Sequence, residues 1–237
     1  MSVGLTKGRR SYPFLCKTKY KFDLDRLREE AAALEEINGW NDMKHDSELV
    51  KNLIKGRERL TQAFANDDGE YHDYEQMIVT HIDDEPEVAG GVSVSKYEQY
   101  KLDMKRAASG LDESKYGQFR DVMDAAPYTK EILNSLPDPL ARVRYAKLKP
   151  HFAIKPHIDY DTTYGMRYHI ALHTNDKCEL GFRRNRNEDF ATFHIPTDGH
   201  LYFINQGFEH YANNYGDEDR IHMVIGLSGQ ALMEPYV

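Results

Sequence analysis

The sequence has little cysteine and no long apolar run. Among its 237 residues only Cys16 and Cys178 are cysteines, and two cysteines make neither a zinc-binding pattern nor a disulfide framework. No apolar run approaches the roughly 18 residues that a membrane-spanning helix needs. These absences argue against a disulfide-rich secreted domain and a helical membrane protein, and they predict a reduced, cytoplasmic setting.

A basic excess is also missing. The chain has 39 acidic and 31 basic residues, for a formal net charge of −8, whereas phosphate binding needs clustered lysine and arginine. The basic N-terminal residues 1–17 lack the apolar stretch of a secretory signal. We therefore expect a globular protein without a nucleic-acid or membrane partner. The sequence leaves the oligomeric state open.

Histidine, by contrast, is abundant. There are 11 histidines, and eight of them lie after residue 150. The tripeptide His-Ile-Asp occurs twice, at His81-Ile82-Asp83 and at His157-Ile158-Asp159. On a strand, side chains two apart project from the same face, so the histidine and the aspartate of such a copy can bind one metal ion. The spacing alone is weak, because about one His-x-Asp is expected by chance in this chain.

The first half is predicted to be mainly helical. Apolar residues at three- and four-residue spacing predict a helix over Asp23–Ile37, with Asp23 as its N-cap and Asn38-Gly39 as its end. A strand is expected at Tyr74–Ile82, and Asp83–Gly110, which contains a Gly-Gly hinge, is a candidate lid. Further helices are expected over Ser47–Phe64, Tyr97–Ser109 and Ser114–Ala125, and a short one from Pro127.

After Leu140 the pattern changes to short runs rich in Val, Ile, Tyr, Phe and His, most of them separated by Gly, Asn, Asp or Pro. Short strands at such spacing are typical of a sandwich or barrel. We predict an α+β fold with a mainly β core. Residues 140–237 would form a double-stranded β-helix, a cupin-like jelly roll. Residues 1–139 would form a helical region with one or two strands, packed on the barrel within a single structural domain.

The context of the two tripeptides separates them. His81 lies where a strand runs into an acidic turn. His157 is followed by a strand, then by His210 on a later strand, and then by Arg220 at the start of the next. A barrel can bring His157, Asp159 and His210 onto one face of a metal ion, the facial triad of non-haem Fe(II) oxygenases. Arg220 would then bind the far carboxylate of an oxoacid as a fork.

Each of these residues also has a plainer interpretation. His157 alone could be a half-buried histidine that donates one hydrogen bond, and His210 could be exposed on a strand edge. Arg220 could pair with Asp217 or Asp219 at the surface, which would contribute little. The agreement of order and spacing favours the metal site over these alternatives.

The region Arg142–Leu227 resembles the aspartyl/asparaginyl β-hydroxylase-like branch of the 2-oxoglutarate/Fe(II) dioxygenases, which includes bacterial proline cis-4-hydroxylases. The matching segments are KPHFAIKPHID, RYHIALHTN, DGHLYFINQGFEH and DRIHMVIGL. The family pattern has a proline before the first histidine ligand and an Arg-x-His about ten residues on. A distal histidine follows, with an arginine ten residues further.

The resemblance implies a role for each matching residue. His157, Asp159 and His210 would bind Fe(II), and Arg220 would anchor the distal carboxylate of 2-oxoglutarate. The Arg-x-His residues, Arg167 and His169, would make further contacts with this cosubstrate. Some members place a hydroxyl residue eleven positions before the first histidine, where this chain has Ala146.

The implied reaction is hydroxylation of an unactivated C–H bond, with O₂ consumed and 2-oxoglutarate converted to succinate and CO₂; ascorbate would support activity. Asp159 argues against a halogenase, because related halogenases have Gly or Ala there. A free amino acid or similar small molecule is the expected substrate, with Arg144 as the candidate for its carboxylate. The alternatives are a peptidyl Asp/Asn β-hydroxylase and a non-enzymatic, metal-binding cupin-like module.

Overall fold

The computed structural model describes residues 5–42, 74–81 and 117–236, and only the backbone of residues 41, 42 and 81. The helices expected over Ser47–Phe64 and Tyr97–Ser109 and the candidate lid Asp83–Gly110 lie outside these residues. Within the described ranges, no helix is both long and apolar enough to cross a membrane.

Two antiparallel sheets form the body of the protein. The larger sheet consists of seven strands: β1 (Leu15–Lys21), β2 (Asn41–Asp42), β3 (Tyr74–Ile78), β6 (Leu140–Leu148), β8 (Met166–His173), β11 (His200–Ile204) and β13 (Arg220–Leu227). The smaller sheet consists of four: β7 (Phe152–His157), β9 (Cys178–Arg183), β10 (Ala191–Phe193) and β12 (Glu209–Asn214). Their spatial orders are β1-β11-β8-β13-β6-β3-β2 and β10-β9-β12-β7. A separate pair joins β4 (Thr80–His81) to β5 (Gln118–Phe119).

The central strands of the large sheet are largely buried on both faces. Its inner face packs against the small sheet in an apolar cluster that includes Ala146 and Val224 on one side and Ile154 and Phe182 on the other. Two facing sheets around one core are the double-stranded β-helix, so the predicted jelly roll is confirmed. The expected division at residue 140 stays a prediction: β6 begins there, and β1, β2 and β3 before it add to the large sheet.

The outer face of the large sheet is covered by two helices, α1 (Leu24–Asn38) and α2 (Pro127–Asn134). The predicted first helix is confirmed, including its ends. The Asp23 side chain accepts hydrogen bonds from the backbone N–H groups of Asp25 and Arg26, and Gly39 takes a positive φ of 64°. The short helix expected from Pro127 is likewise confirmed as α2.

The prediction for Ser114–Ala125 is wrong over the described residues 117–125. In place of a helix, Gln118 and Phe119 pair with β4, and a 3₁₀ helix follows over Asp121–Ala125. A Cβ on Gly117 would lie 2.6 Å from the Leu140 carbonyl oxygen, so the chain there passes close to β6. Strand pairing and the burial of Met123 override the local helix propensity.

Candidate metal centre

Two neighbouring strands and one loop bring three potential metal ligands together. His157 ends β7 and His210 lies directly opposite it on β12, while Asp159 follows β7 by two residues. One ligand atom from each residue lies within 4.8 Å of the others. Asp159 Oδ1 is 3.5 Å from His157 Nε2, and Asp159 Oδ2 is 3.9 Å from His210 Nε2. The predicted set His157, Asp159 and His210 is therefore brought together in space.

The hydrogen bonds of the two histidines fix their tautomers. His157 Nδ1 lies 2.8 Å from the Lys155 carbonyl oxygen, and His210 Nδ1 lies 3.0 Å from that of Phe208. A carbonyl oxygen only accepts, so each Nδ1 carries the proton and each Nε2 keeps a lone pair directed at the gap beside Asp159. Metal-binding histidines are oriented in this way. The donor set therefore fits a divalent metal ion.

The charges at the site also suit a metal. Burial opposes ionisation of Asp159, but Arg167, with its Nη1 at 2.5 Å from Asp159 Oδ2, and the two histidines outweigh it and hold the pKa of that carboxyl well below its usual value. Burial and then the neighbouring His157 lower the pKa of His210 to about 3. At neutral pH Asp159 is thus a carboxylate, and His210 is neutral, the form in which its Nε2 could bind a metal ion.

Three basic side chains lie in contact on the inner face of the large sheet: Arg220, His222 and His169. Arg220 is 4% exposed, and burial lowers its pKa to about 10, so it stays charged. Its Nη2 donates to His222 Nδ1 at 3.0 Å, and His169 Nδ1 lies 3.2 Å from the same atom. Burial, followed by the charge of Arg220, holds the pKa of both histidines well below 6.5, so both are neutral.

Register places these side chains on one face. His169, Val224 and Arg144 are directly opposite one another across β8, β13 and β6, and such residues share a face. Arg144 is 7% exposed, and its Nε has no hydrogen-bond partner among the described residues. Ala146 lies opposite His222 and presents only a methyl group. The sequence-predicted contacts Arg220, Arg167, His169 and Arg144 all lie on this inner face.

Two residues near the site were not predicted from the sequence, His222 and Gln206. His222 accepts a hydrogen bond from Arg220, and its position two residues after that arginine was the available signal. Gln206 is buried, and its backbone oxygen accepts from the Asp159 N–H at 3.2 Å. Neither side-chain amide atom of Gln206 has a hydrogen-bond partner among the described residues. No local pattern in the sequence singles out Gln206.

His81, the described residue of the other His-Ile-Asp copy, lies elsewhere in the fold. His81 belongs to β4 and pairs with Gln118 of β5, in the two-stranded sheet. The backbone therefore puts it on neither of the strands that carry His157 and His210.

Comparison with known proteins gives one family match and several distant structural similarities. Residues 79–228 match the family model described as aspartyl/asparaginyl β-hydroxylase. An oxidoreductase of the 2OG-Fe(II) oxygenase family from Burkholderia pseudomallei is 14% identical, with a TM-score of 0.37, over 88% of this chain and 91% of that one.

Two further solved structures are also similar to parts or most of this chain. A Pseudomonas putida prolyl-4-hydroxylase is 10% identical, with a TM-score of 0.44, over 92% of this chain and 94% of that one. The capsular polysaccharide assembling protein CapF of Staphylococcus aureus is 19% identical, with a TM-score of 0.30, over 39% of this chain. The match spans only 24% of the CapF chain.

Proposed function

The chain belongs to the aspartyl/asparaginyl β-hydroxylase family. We propose that it is a 2-oxoglutarate- and Fe(II)-dependent dioxygenase that hydroxylates a free amino acid or a similar small molecule. One observation carries the proposal. The Nε2 atoms of His157 and His210 and the carboxylate of Asp159 converge within 4.8 Å, with both tautomers set for metal binding.

His157, Asp159 and His210 would hold Fe(II) through two nitrogens and one oxygen. Such a triad leaves three positions of an octahedral ion open for a bidentate oxoacid and O₂. Bound Fe(II) and 2-oxoglutarate would supply the oxidising chemistry, in which one atom of O₂ enters succinate and the other enters the substrate C–H bond. The Arg167 guanidinium beside Asp159 keeps this ligand ionised and fixes its direction.

Arg220 would bind the distal carboxylate of 2-oxoglutarate. It is buried and charged, and its Nη2 is held by His222. A guanidinium fixed in this way is oriented before the ligand arrives, so less entropy is lost on binding. Arg167 and His169, two apart on β8, would make the remaining contacts with the cosubstrate.

Arg144 would bind the carboxylate of the substrate. It lies on the same face as His169, it is buried, and its Nε lacks a partner among the described residues. A buried donor without a partner costs about 1–3 kcal/mol, which an arriving carboxylate recovers. A free amino acid supplies such a carboxylate next to its own C–H bonds. A peptidyl Asp or Asn side chain is the alternative substrate, whereas membership of a hydroxylase family disfavours a non-enzymatic metal-binding module.

Succinate formation tests the proposal. The protein is incubated under air with Fe(II), 2-oxoglutarate and ascorbate, together with a panel of free amino acids or aspartyl peptides. We expect substrate-dependent succinate from the wild type and from His81→Ala, and none from His157→Ala, because only His157 lies in the converging triad. Succinate with peptides alone would support the peptidyl alternative. The proposal would be contradicted if no substrate gave succinate, or if His157→Ala still formed succinate.

A further inference from the structure

The N-terminal segment, residues 5–14, lies against two loops that adjoin the candidate metal ligands. The first loop, residues 158–165, follows β7 and holds Asp159. The second, residues 205–208, joins β11 to β12 and ends two residues before His210. We refer to these two stretches as the ligand loops. Among the described residues, one backbone hydrogen bond joins the two loops directly: the Asp159 N–H donates to the Gln206 carbonyl oxygen.

Arg9 contacts both ligand loops at once. On the first loop, its backbone N–H donates to Asp161 Oδ1 at 3.1 Å, and its Nε lies 3.8 Å from Asp161 Oδ2. On the second, its Nη1 donates to the Gly207 carbonyl oxygen at 2.5 Å, and its guanidinium lies 5.6 Å from the ring centre of Phe208. Phe208 in turn supplies the carbonyl that orients the His210 ring.

Glycine at position 207 permits this close packing. A Cβ there would lie 3.0 Å from Arg9 Cβ and 3.3 Å from Asp161 Cα. Both distances are shorter than ordinary van der Waals contact. The Arg9 side chain, the first loop and the second loop therefore meet at Gly207, with no room for another side chain.

Asn205 of the second ligand loop and Gln230 near the C-terminal end hold the segment in place. Asn205 Nδ2 donates to the carbonyl oxygens of Arg9, Tyr12 and Pro13, and the Asn205 N–H donates to that of Phe14. Gln230 accepts from the N–H groups of residues 6 and 7 and donates to the carbonyl oxygens of residues 7 and 162. The segment is thus anchored along its length, so Arg9 has a fixed position.

We infer that residues 5–14 act as a clamp that sets the distance between Asp159 and His210, with Arg9 as a positioning residue for the metal centre. The Arg9 side chain is 38% exposed, so its ion pair with Asp161 adds little to folding stability. Arg9 instead holds the two ligand loops at a fixed separation. That separation determines whether the Asp159 carboxylate and the His210 imidazole can bind one ion together. The inference rests on the proposed function, because it takes the triad as a metal site.

The test compares Arg9→Ala with Arg10→Ala in the full chain. Arg10 is exposed, and its side chain makes no hydrogen bond or ion pair among the described residues. We expect Arg9→Ala to weaken Mn(II) binding, measured by calorimetry with the metal alone, by about 10-fold, the lower end of the usual effect of groups that orient metal ligands. Arg10→Ala should bind as the wild type does. Gly207→Ala should weaken binding independently, since its methyl group displaces Arg9.

The outcomes separate the clamp from the metal site. If His157→Ala binds Mn(II) as tightly as the wild type, the proposed site itself is wrong. If His157→Ala loses binding while Arg9→Ala keeps wild-type affinity, the clamp alone is wrong. Equal weakening in Arg10→Ala would indicate a general effect of charge and would also overturn the clamp. So would a loss of affinity in Arg9→Ala matched by a lower melting temperature of the metal-free protein.

Discussion

At the scale of single residues, Arg220 is positioned by a buried histidine. Arg220, His222 and His169 form a chain of contacts that links β13 to β8. Because Arg220 can only donate, His222 Nδ1 must accept, and the proton of neutral His222 lies on its buried Nε2. The arginine is therefore held by a group that leaves its remaining N–H donors for a ligand.

Replacement of Arg220 by alanine should separate cosubstrate binding from metal binding. In the wild type, Mn(II) and then 2-oxoglutarate should each raise stability, the latter by about 2.7 kcal/mol at a hundred times its Kd. In Arg220→Ala the 2-oxoglutarate increment should disappear while the Mn(II) increment remains. Thermal unfolding with each ligand measures both. Arg186→Ala, which removes an exposed arginine, is the control. A retained 2-oxoglutarate increment would show that another residue is the anchor.

The residues of the site were predictable from sequence where order and spacing carried information. The order and spacing of His157, Asp159, His210 and Arg220 match the family pattern, and the fold brings the first three together. His222 was missed because its alternation with Arg220 fits any strand. Its significance arises only from His169, which reaches it from a strand more than 50 residues earlier in the chain.

At the scale of elements, helix α2 depends on a side chain of α1. Ala126, the residue before α2, has no side chain that can cap it. Glu30 of α1 supplies the cap: its carboxylate accepts from the backbone N–H groups of Tyr128 and Thr129, both at 2.7 Å, and from the Thr129 hydroxyl at 2.8 Å. The negative charge also lies at the positive end of the α2 dipole.

Glu30→Ala should therefore destabilise the protein by about 2 kcal/mol, because three hydrogen bonds to a charged group are lost and two N–H groups at the start of α2 lose their acceptor. Urea unfolding of the metal-free protein measures the change. Glu29→Ala removes the same charge from an exposed position on the same helix, and it should cost less than about 0.5 kcal/mol. Equal losses in the two variants would mean that the helix tolerates the missing cap.

Elements were predictable where local signals were strong. The ends of α1 follow from Asp23 and Gly39, whose capping roles are local. The region after Gly117 was mispredicted because its structure depends on pairing with β4, which lies far earlier in the chain. The large sheet shows the same limit. Its strand β1 pairs with β11, and no local sequence feature of either segment predicts this pairing.

At the scale of the whole molecule, buried neutral histidines make stability depend on pH. Burial is the largest cause that lowers the pKa of His169, His210 and His222. Below about pH 6.5 these residues take up protons in the unfolded chain but not in the folded one, so stability falls as the solution is acidified. Above about pH 7 neither state binds these protons, and this contribution is constant.

We expect the metal-free protein to lose on the order of 4 kcal/mol between pH 7.5 and 5.5, which is about 1.4 kcal/mol for each of the three histidines. Urea unfolding at each pH measures this loss. In His222→Asn, whose amide oxygen can still accept from Arg220, the loss should shrink by about a third. Stability that is equal at both pH values, or that rises on acidification, would contradict neutral histidines in the folded state.

The pairing of β1 with β11 also fixes when the molecule can be completed during synthesis. Leu15 pairs with Ile204, about 190 residues later. A ribosome adds about 5–20 residues per second, so β1 emerges on the order of ten to forty seconds before its partner exists. Residues 5–14 likewise cannot form their contacts with Gly207 and Gln230 until those two residues have been synthesised. The clamp therefore stays incomplete while the first ligand loop already exists, and residues 5–14 are among the last residues to complete their contacts.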